Sequence, residues 1–301
     1  MKKEKIGYCC INLSLGDKVK VNRTMIKKTF ESKGIKYASE LIIKNLIDLE
    51  KILIWNIENN ILNYRLSSDM FPWLSEYNYE DLPNYEIVVK QLVKCGELIK
   101  SSNMKVSLHP GPFNVLSSEN PDVVKKTIKE LNQHSKLLEL MGLPANHLYN
   151  INIHIGSVNN NKQKSMDNFC RSFDLLEENT KKALTIENDD TKNSYSVNDL
   201  VYVNKQIKTP IVFDSLHHYC NPGNLSFLEA LETSLDTWGM ITPECHHSSS
   251  KRLYEDNTKT IKTHADFIYD NFECDKDIYL TIEAKQKDLA VFDFYKKFNY
   301  N

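Results

Sequence analysis

No stretch of the 301-residue chain approaches the roughly 18 apolar residues that a membrane-spanning helix needs. The basic start, Met1 to Lys5, runs straight into the strand-like Ile6 to Ile11, which argues against a secretory leader. Cysteine pairs are missing as well: Cys9, Cys10, Cys95, Cys170, Cys220, Cys245 and Cys274 are odd in number, widely scattered and contain no Cys-x-x-Cys. That excludes a disulfide framework and predicts reduced thiols, most of them small apolar core residues, in an intracellular compartment. Neither sign of charge is in excess, with 38 Lys+Arg against 40 Asp+Glu and a net charge of -2, so any signal for a polyanionic partner has to be local. Internal repeats, low-complexity tracts and linkers rich in Gly, Pro or Ser are also absent, and nothing marks a domain boundary.

What remains is an ordinary globular composition, 41% hydrophobic and 26% charged, and a length that one α/β barrel accommodates as a single domain spanning 1–301. Short apolar runs alternate with stretches of helical period, the pattern of repeated βα units. Strands are expected at Ile6–Ile11, Asn63–Ser67, Lys105–His109, Tyr149–Ile155, Ala183–Glu187, Pro210–Asp214, Trp238–His246 and Ile278–Glu283. Helices are expected at Ala38–Asn60, Asn84–Ser102, Pro121–Met141, Lys164–Lys182, Ser196–Lys205, Asn224–Leu235, Asn257–Tyr269 and Ala284–Phe298. Pro121 near a first helical turn and Gly142 followed by Pro144 past a last one fit that reading. Eight of each, in alternation, predict a closed parallel (β/α)8 architecture, the TIM barrel.

The longest irregular connection, Asn12 to Tyr37, carries Lys18, Lys20, Arg23, Lys27, Lys28, Lys33 and Lys36 against Asp17 and Glu31, a local excess of five positive charges. Following the first strand, it lies on the face where strands finish, beside the usual active site of a barrel. A solvated basic loop and a phosphate-tracking loop are both compatible with it. Lys162, Lys164, Lys251 and Arg252 offer further cations near other strand ends.

The chemistry is concentrated where the strands end. Six consecutive strands finish at His109, His154, Glu187, Asp214, His246 and Glu283. A lone histidine beside a strand is more often a hydrogen-bonded structural group than a ligand, but six such groups at six successive ends are hard to bury without a compensating cation. Imidazoles with carboxylates suit Zn²⁺, Mn²⁺ or Fe²⁺ and a hydrolytic site. Two or three divalent ions roughly 3.5–4 Å apart can activate a water and hold both oxygens of a phosphate displacement. Glu187, in the middle of the series, is placed to bridge two ions, His264 to complete a third site with His217, and Glu244 to face the bowl with His246. His134 and His147 are expected to be structural, and His218 and His247, of opposite parity, to be bystanders.

These residues, with Tyr64-Arg65-Leu66-Ser67-Ser68 and the runs LHPGPFNVLSSENPDVV, LLELMGL, IHIG, TIENDD, VFDSLHH, PECHHSS and HADFI, resemble the UV damage endonucleases along nearly the whole chain, from Gly7-Tyr8 to Glu283. That family is similar to the endonuclease IV and xylose isomerase group of TIM barrels. The resemblance implies cutting of damaged double-stranded DNA immediately 5′ of pyrimidine photodimers and other lesions, leaving a 3′-hydroxyl and a 5′-phosphate, with a cluster of two or three Mn²⁺, or Zn²⁺ or Co²⁺, ions. It implies metal ligation by His109, His154, Glu187, Asp214, His217, His246, His264 and Glu283, and catalytic work by Glu187, Glu283 and Glu244. It places Tyr8 beside the damaged nucleotides. Pro112-Phe113 stands where the family commonly has Gln followed by an aromatic, Glu244 where it commonly has a lysine that can be carboxylated, and Asp69 where some relatives have histidine. With Lys18, Lys20 and Arg23 on phosphates, Pro112, Phe113 and Tyr8 form the expected DNA contacts; a monomer without protein or membrane partners is expected. An abasic-site endonuclease or a sugar isomerase on the same superfold, and a non-catalytic lesion-binding protein, are the competing readings.

Overall fold

The computed structural model describes residues 2–156, 158 and 161–300. Eight parallel strands, β1 (Ile6–Cys9), β2 (Asn63–Leu66), β3 (Lys105–Leu108), β4 (Ile151–Ile153), β5 (Leu184–Glu187), β6 (Ile211–Asp214), β7 (Glu244–His247) and β8 (Tyr279–Ile282), close into a barrel in sequence order. Its seam joins the two ends of the chain, with Ile6, Gly7 and Tyr8 paired to Leu280, Thr281 and Ile282. The expected TIM barrel is the observed fold. Around it run α1 (Lys27–Glu58), α2 (Tyr85–Ser101), α3 (Pro121–Leu140), α4 (Lys162–Phe173), α5 (Glu178–Ala183), α6 (Val197–Ile207), α7 (Ser215–Cys220), α8 (Phe227–Asp236), α9 (Lys251–Tyr254) and α10 (Lys287–Lys297). Among the described residues no helix is long and apolar enough to cross a membrane.

Successive strand residues point to opposite faces. The outward set, including Ile6, Tyr8, Tyr64, Val106, Ile153, Ile186, Phe213 and Ile282, is buried against the helices and forms the main core. Each fully buried aliphatic side chain there contributes about 1.5–3 kcal/mol relative to exposure. The inward set differs from the branched aliphatics that fill most such barrels. Asn63 donates to Thr281 Oγ1 (3.2 Å), Thr281 and Ser107 donate to Glu244 Oε1 (3.0 and 3.1 Å), and Asn150 donates to Thr185 Oγ1 (2.9 Å). The cylinder is therefore filled by a hydrogen-bonded polar network. Gly7 lines it because a Cβ there would stand 1.7 Å from the Asn63 carbonyl oxygen.

Four local expectations are corrected. The basic connection is irregular only as far as Ile26; α1 begins at Lys27 and runs through a kink at Gly34 (φ 65°), so Lys27, Lys28, Lys33 and Lys36 are helical. The helix expected at Lys164–Lys182 is two, α4 and α5, interrupted where Leu176 turns into the core. Strand seven starts at Glu244, since Gly239, in the left-handed region (φ 61°), breaks the chain after α8 and Trp238 instead donates its indole N–H to the Ile211 carbonyl (2.8 Å). No helix forms over Asn257–Tyr269. Asp256 accepts from the Thr258 N–H in a local turn, and the following backbone pairs with the β7 exit through an antiparallel bridge between Ser250 and His264.

The start of the chain is fastened to its end on the carboxyl face of the barrel. Asp288, at the first turn of α10 and wholly buried, accepts from Leu13 N (2.6 Å), Ser14 N (3.1 Å) and Ser14 Oγ (2.6 Å). Arg23 closes the other side of the same loop by pairing with Asp48 of α1 at 2.6 Å.

Candidate metal centre

The inward parity that fills the barrel with amides and hydroxyls ends, at the carboxyl rim, in imidazoles and carboxylates. Glu187 closes β5 and is only 1% exposed. Its Oε2 lies 3.1 Å from His109 Nε2 and 3.1 Å from His246 Nδ1, its Oε1 3.3 Å from His217 Nδ1, and Asn152 donates to it from below. Three donor groups have all their ligating atoms within 4.8 Å of one another: His109, His154 and Glu187; Glu187, Asp214 and His217; Asp214, His246 and Glu283. They interlock, because Glu187 belongs to the first two and Asp214 to the last two. Asp214 Oδ2 is buried and without a hydrogen-bond partner, which is costly for a carboxylate unless a cation completes it. The donors present fit divalent ions of the Mn²⁺ or Zn²⁺ type.

The rings are braced from outside. A carbonyl can only accept, so a ring nitrogen closely facing one must carry its proton: His217 Nδ1 donates to Asn188 O (2.8 Å) and His264 Nδ1 to Glu283 O (2.7 Å), which leaves Nε2 of these two rings as the nitrogen able to offer a lone pair. The His109 ring stands between two acceptors, Pro110 O at Nδ1 (3.3 Å) and Glu187 Oε2 at Nε2 (3.1 Å). His154 is held at Nδ1 by Asp189 Oδ1 at 3.0 Å. His246 is turned the other way, with Nδ1 toward Glu187 and 3.3 Å from Glu283 Oε1, and Nε2 3.6 Å from Glu244 Oε1.

The charges are correspondingly displaced. Burial would raise the Glu187 carboxyl, but the charges of His246 and His154 and the bonds from His109 and His217 hold it well below its ordinary value. Burial also disfavours the charged form of His246, yet the neighbouring Glu187 and Glu283 outweigh it and lift this ring to about 10. His217 is likewise raised well above an ordinary imidazole and His154 is raised. For His109 burial prevails and its pKa is lowered.

Seven of the eight ligands expected from the sequence therefore fall into the interlocked groups. His264 belongs to none of the three, although it stands 3.8 Å from Glu283 Oε2. Glu244 requires correction as a catalytic group. It is wholly buried below His246, ion-paired with Lys105 and hydrogen-bonded by Ser107 and Thr281, so it reaches neither solvent nor substrate. Tyr8 also requires correction. It has 0% exposure, donates to Asn56 Oδ1 (2.7 Å), accepts from Asn12 (2.8 Å) and packs on Tyr64, because its parity in β1 points it outward beneath α1. It is a core residue. Pro112 lines a cleft of about 260 Å³ next to His154 and Asp189, and Phe113, 89% exposed, stands at its lip. Lys18 and Lys20 are exposed, whereas Arg23, Lys162, Lys164 and Lys251 are engaged by Asp48, Asp199, Glu119 and Asp266 respectively, so Arg23 serves the loop rather than a phosphate. His247 and His218, as expected, face away, bonded to Ser215 and packed on Phe213. Asp69 is exposed.

Sequence reasoning missed Asp189, the brace of His154, and Arg65, whose Nη1 lies 2.6 Å from Glu283 Oε1. Both keep the inward parity of their strands, Asp189 two residues past Glu187 and Arg65 two past Asn63.

The UV-endonuclease UvdE family model matches residues 4–301. The chain is 30% identical to the UV-damage endonuclease of Schizosaccharomyces pombe over 98% of its own length, spanning about half of that relative (50%). It is 30% identical to the UV DNA damage endonuclease of Clostridium perfringens, over 95% of this chain and 68% of that one. The crystal structure of SacUVDE superimposes with a TM-score of 0.86 at 28% identity, covering 98% of this chain and 99% of that one. Endonuclease IV from Thermus thermophilus shares the fold, with a TM-score of 0.57 at 13% identity over 98% of this chain and 97% of that one. The family match takes in all eight strands and every donor described above, and the chain belongs to the UV-endonuclease UvdE family.

Proposed function

We propose that this single barrel domain is a divalent-metal-dependent repair endonuclease that incises damaged duplex DNA immediately 5′ of UV photolesions, leaving a 3′-hydroxyl and a 5′-phosphate. It acts as an intracellular monomer. The observation that carries the reading is the set of three donor groups sharing Glu187 and Asp214 at the carboxyl rim, in a chain of this family. His109, His154, Glu187, Asp214, His217, His246 and Glu283 would hold two or three ions, Mn²⁺ by preference, with His264 available from the side. Bound there, the ions would activate water and neutralise charge on the phosphate under attack.

The protein's own part is placement. Nδ1 contacts with carbonyls and Asp189 fix which ring nitrogen faces the bowl. Exposed Lys18 and Lys20 meet phosphates without reading sequence. Phe113 wedges beside bases that a photolesion has already unstacked, so selection rests on the lower cost of deforming damaged DNA.

The decisive experiment uses an end-labelled duplex with one photodimer, with and without chelator. Incision at the 5′ side of the lesion that disappears on chelation and returns with Mn²⁺ is expected; chelator-resistant cutting, or cutting only of an abasic duplex run in parallel, contradicts the proposal. Phe113→Ala should leave thermal stability unchanged, because the side chain is exposed, and should lower kcat/KM on the lesion duplex about 5- to 100-fold, the range of one lost base–aromatic contact. Equal rates for the two proteins would remove Phe113 from recognition.

A further inference from the structure

Lys105, the first residue of β3, is an ammonium at the floor of the barrel, 1% exposed. Such a charge is tolerated only when paired and hydrogen-bonded. Lys105 has two partners, and a line of contacts leads upward from each. The first partner is Glu244, ion-paired with it. The Glu244 Oε1 edge accepts from Ser107 and Thr281 and lies 3.6 Å from His246 Nε2. The second is Asn150, whose Oδ1 accepts from Lys105 Nζ at 2.9 Å. Asn150 Nδ2 donates to Thr185 Oγ1 (2.9 Å), Thr185 donates to Asn152 Oδ1 (3.0 Å), and Asn152 Nδ2 donates to Glu187. His246 and Glu187, where the two lines end, are themselves 3.1 Å apart.

The direction of this relay follows from chemistry. An ammonium has donors and no acceptor, an ionised carboxylate acceptors and no donor. With Lys105 at one end, Asn150 must turn its oxygen down and its amide hydrogens up, the Thr185 proton must go to Asn152, and the Asn152 amide must face Glu187. On the other line, Lys105 holds Glu244 ionised under His246, so that Nε2 carries the proton and Nδ1 faces the bowl.

We infer that Lys105 is a positioning residue for the metal centre, orienting His246 and Glu187 through these two hydrogen-bonded lines. The inference rests on the metal reading above, and extends it to a residue that touches no ion.

The test measures Mn²⁺ affinity by calorimetry and melting of the metal-free protein. Lys105→Met alone strands a buried Glu244 charge, so the informative variant is Lys105→Met with Glu244→Gln, which removes both charges at nearly constant volume. The double variant should melt within a few degrees of the parent yet bind Mn²⁺ about 10- to 100-fold more weakly, and on lesion DNA lose kcat with KM unchanged. Should it fail to fold, Thr185→Val interrupts the Asn150 line with almost no change of volume and should weaken Mn²⁺ binding in the same direction. A folded variant of either kind that binds Mn²⁺ like the parent overturns the inference alone; a parent protein that takes up no Mn²⁺ overturns it together with the metal reading.

Discussion

Replacing Glu187 by glutamine is expected to cut the incision rate on a photodimer duplex by about 10³-fold or more, the equivalent of roughly 4 kcal/mol of transition-state stabilisation, while leaving duplex affinity within a few-fold. Glu187 belongs to two of the three donor groups, so one substitution weakens both. A glutamine keeps the volume but offers one acceptor oxygen and an NH2 group, and that NH2 would confront His109, His217 or His246, each within 3.3 Å of a Glu187 oxygen. Removing one partner from a buried charge cluster also costs about 3–5 kcal/mol of stability in the metal-free protein. Binding is spared because Phe113, Lys18 and Lys20 lie outside this cluster. Incision of an end-labelled duplex, fluorescence anisotropy on the same duplex and a thermal melt separate the three effects; a variant that cuts at the parental rate removes Glu187 from the chemistry.

Mn²⁺ affinity should rise steeply with pH, by up to about 100-fold per unit near neutrality, since two strongly raised imidazoles, His246 and His217, each hold a proton that a metal must displace. Without metal the same protons stabilise the fold. A raised imidazole contributes stability that is fully present below its ordinary value of 6.5 and lost as pH climbs through the folded value, about 10 for His246. Glu187, displaced downward, contributes above its ordinary 4.5 and loses that contribution in acid. The metal-free protein should consequently melt higher at pH 7 than at pH 10, whereas the increment given by Mn²⁺ should grow as pH rises. Calorimetry at pH 7 in two buffers of different ionisation enthalpy should count close to two protons released; a count of zero would mean that these rings are neutral before the ion arrives, contrary to the geometry around them.

The barrel was legible because its strands announce themselves by apolar residues at alternate positions and, in six of the eight, by the ligand type that ends them. Parity carried the site as well: His109, His154, Glu187, Asp214, His246 and Glu283 share the inward face, and His247 and Cys245 do not. The same rule, applied to Tyr8, turns it away from the substrate, and there the family analogy overrode what the alternation already implied. Lys105 and Arg65 stayed hidden because a basic residue in a short strand reads as solvated, and only the closed cylinder shows both side chains to be buried. Asp189 keeps the inward parity two residues past Glu187, but a further carboxylate after the strand reads as a loop group until its 3.0 Å contact with His154 Nδ1 is seen. The missing helix at Asn257–Tyr269 reflects a competition invisible to periodicity, in which side chains such as Asp256 and a tertiary bridge offered the backbone better partners than its own next turn.

The seam between Ile6–Tyr8 and Leu280–Ile282 has a bearing on how the molecule comes into being on a ribosome. Ile6–Tyr8 gain β2 beside them early but wait roughly 270 residues for β8, their second strand neighbour, and Leu13 and Ser14 wait about as long for Asp288. His109, His154 and Glu187 have emerged long before Glu283, so a nascent chain holds a fragment of the rim with no ring to stiffen it. The rim is thus completed only when β8 has emerged, in one closing event, and on the function proposed above a polypeptide released before it would never switch on.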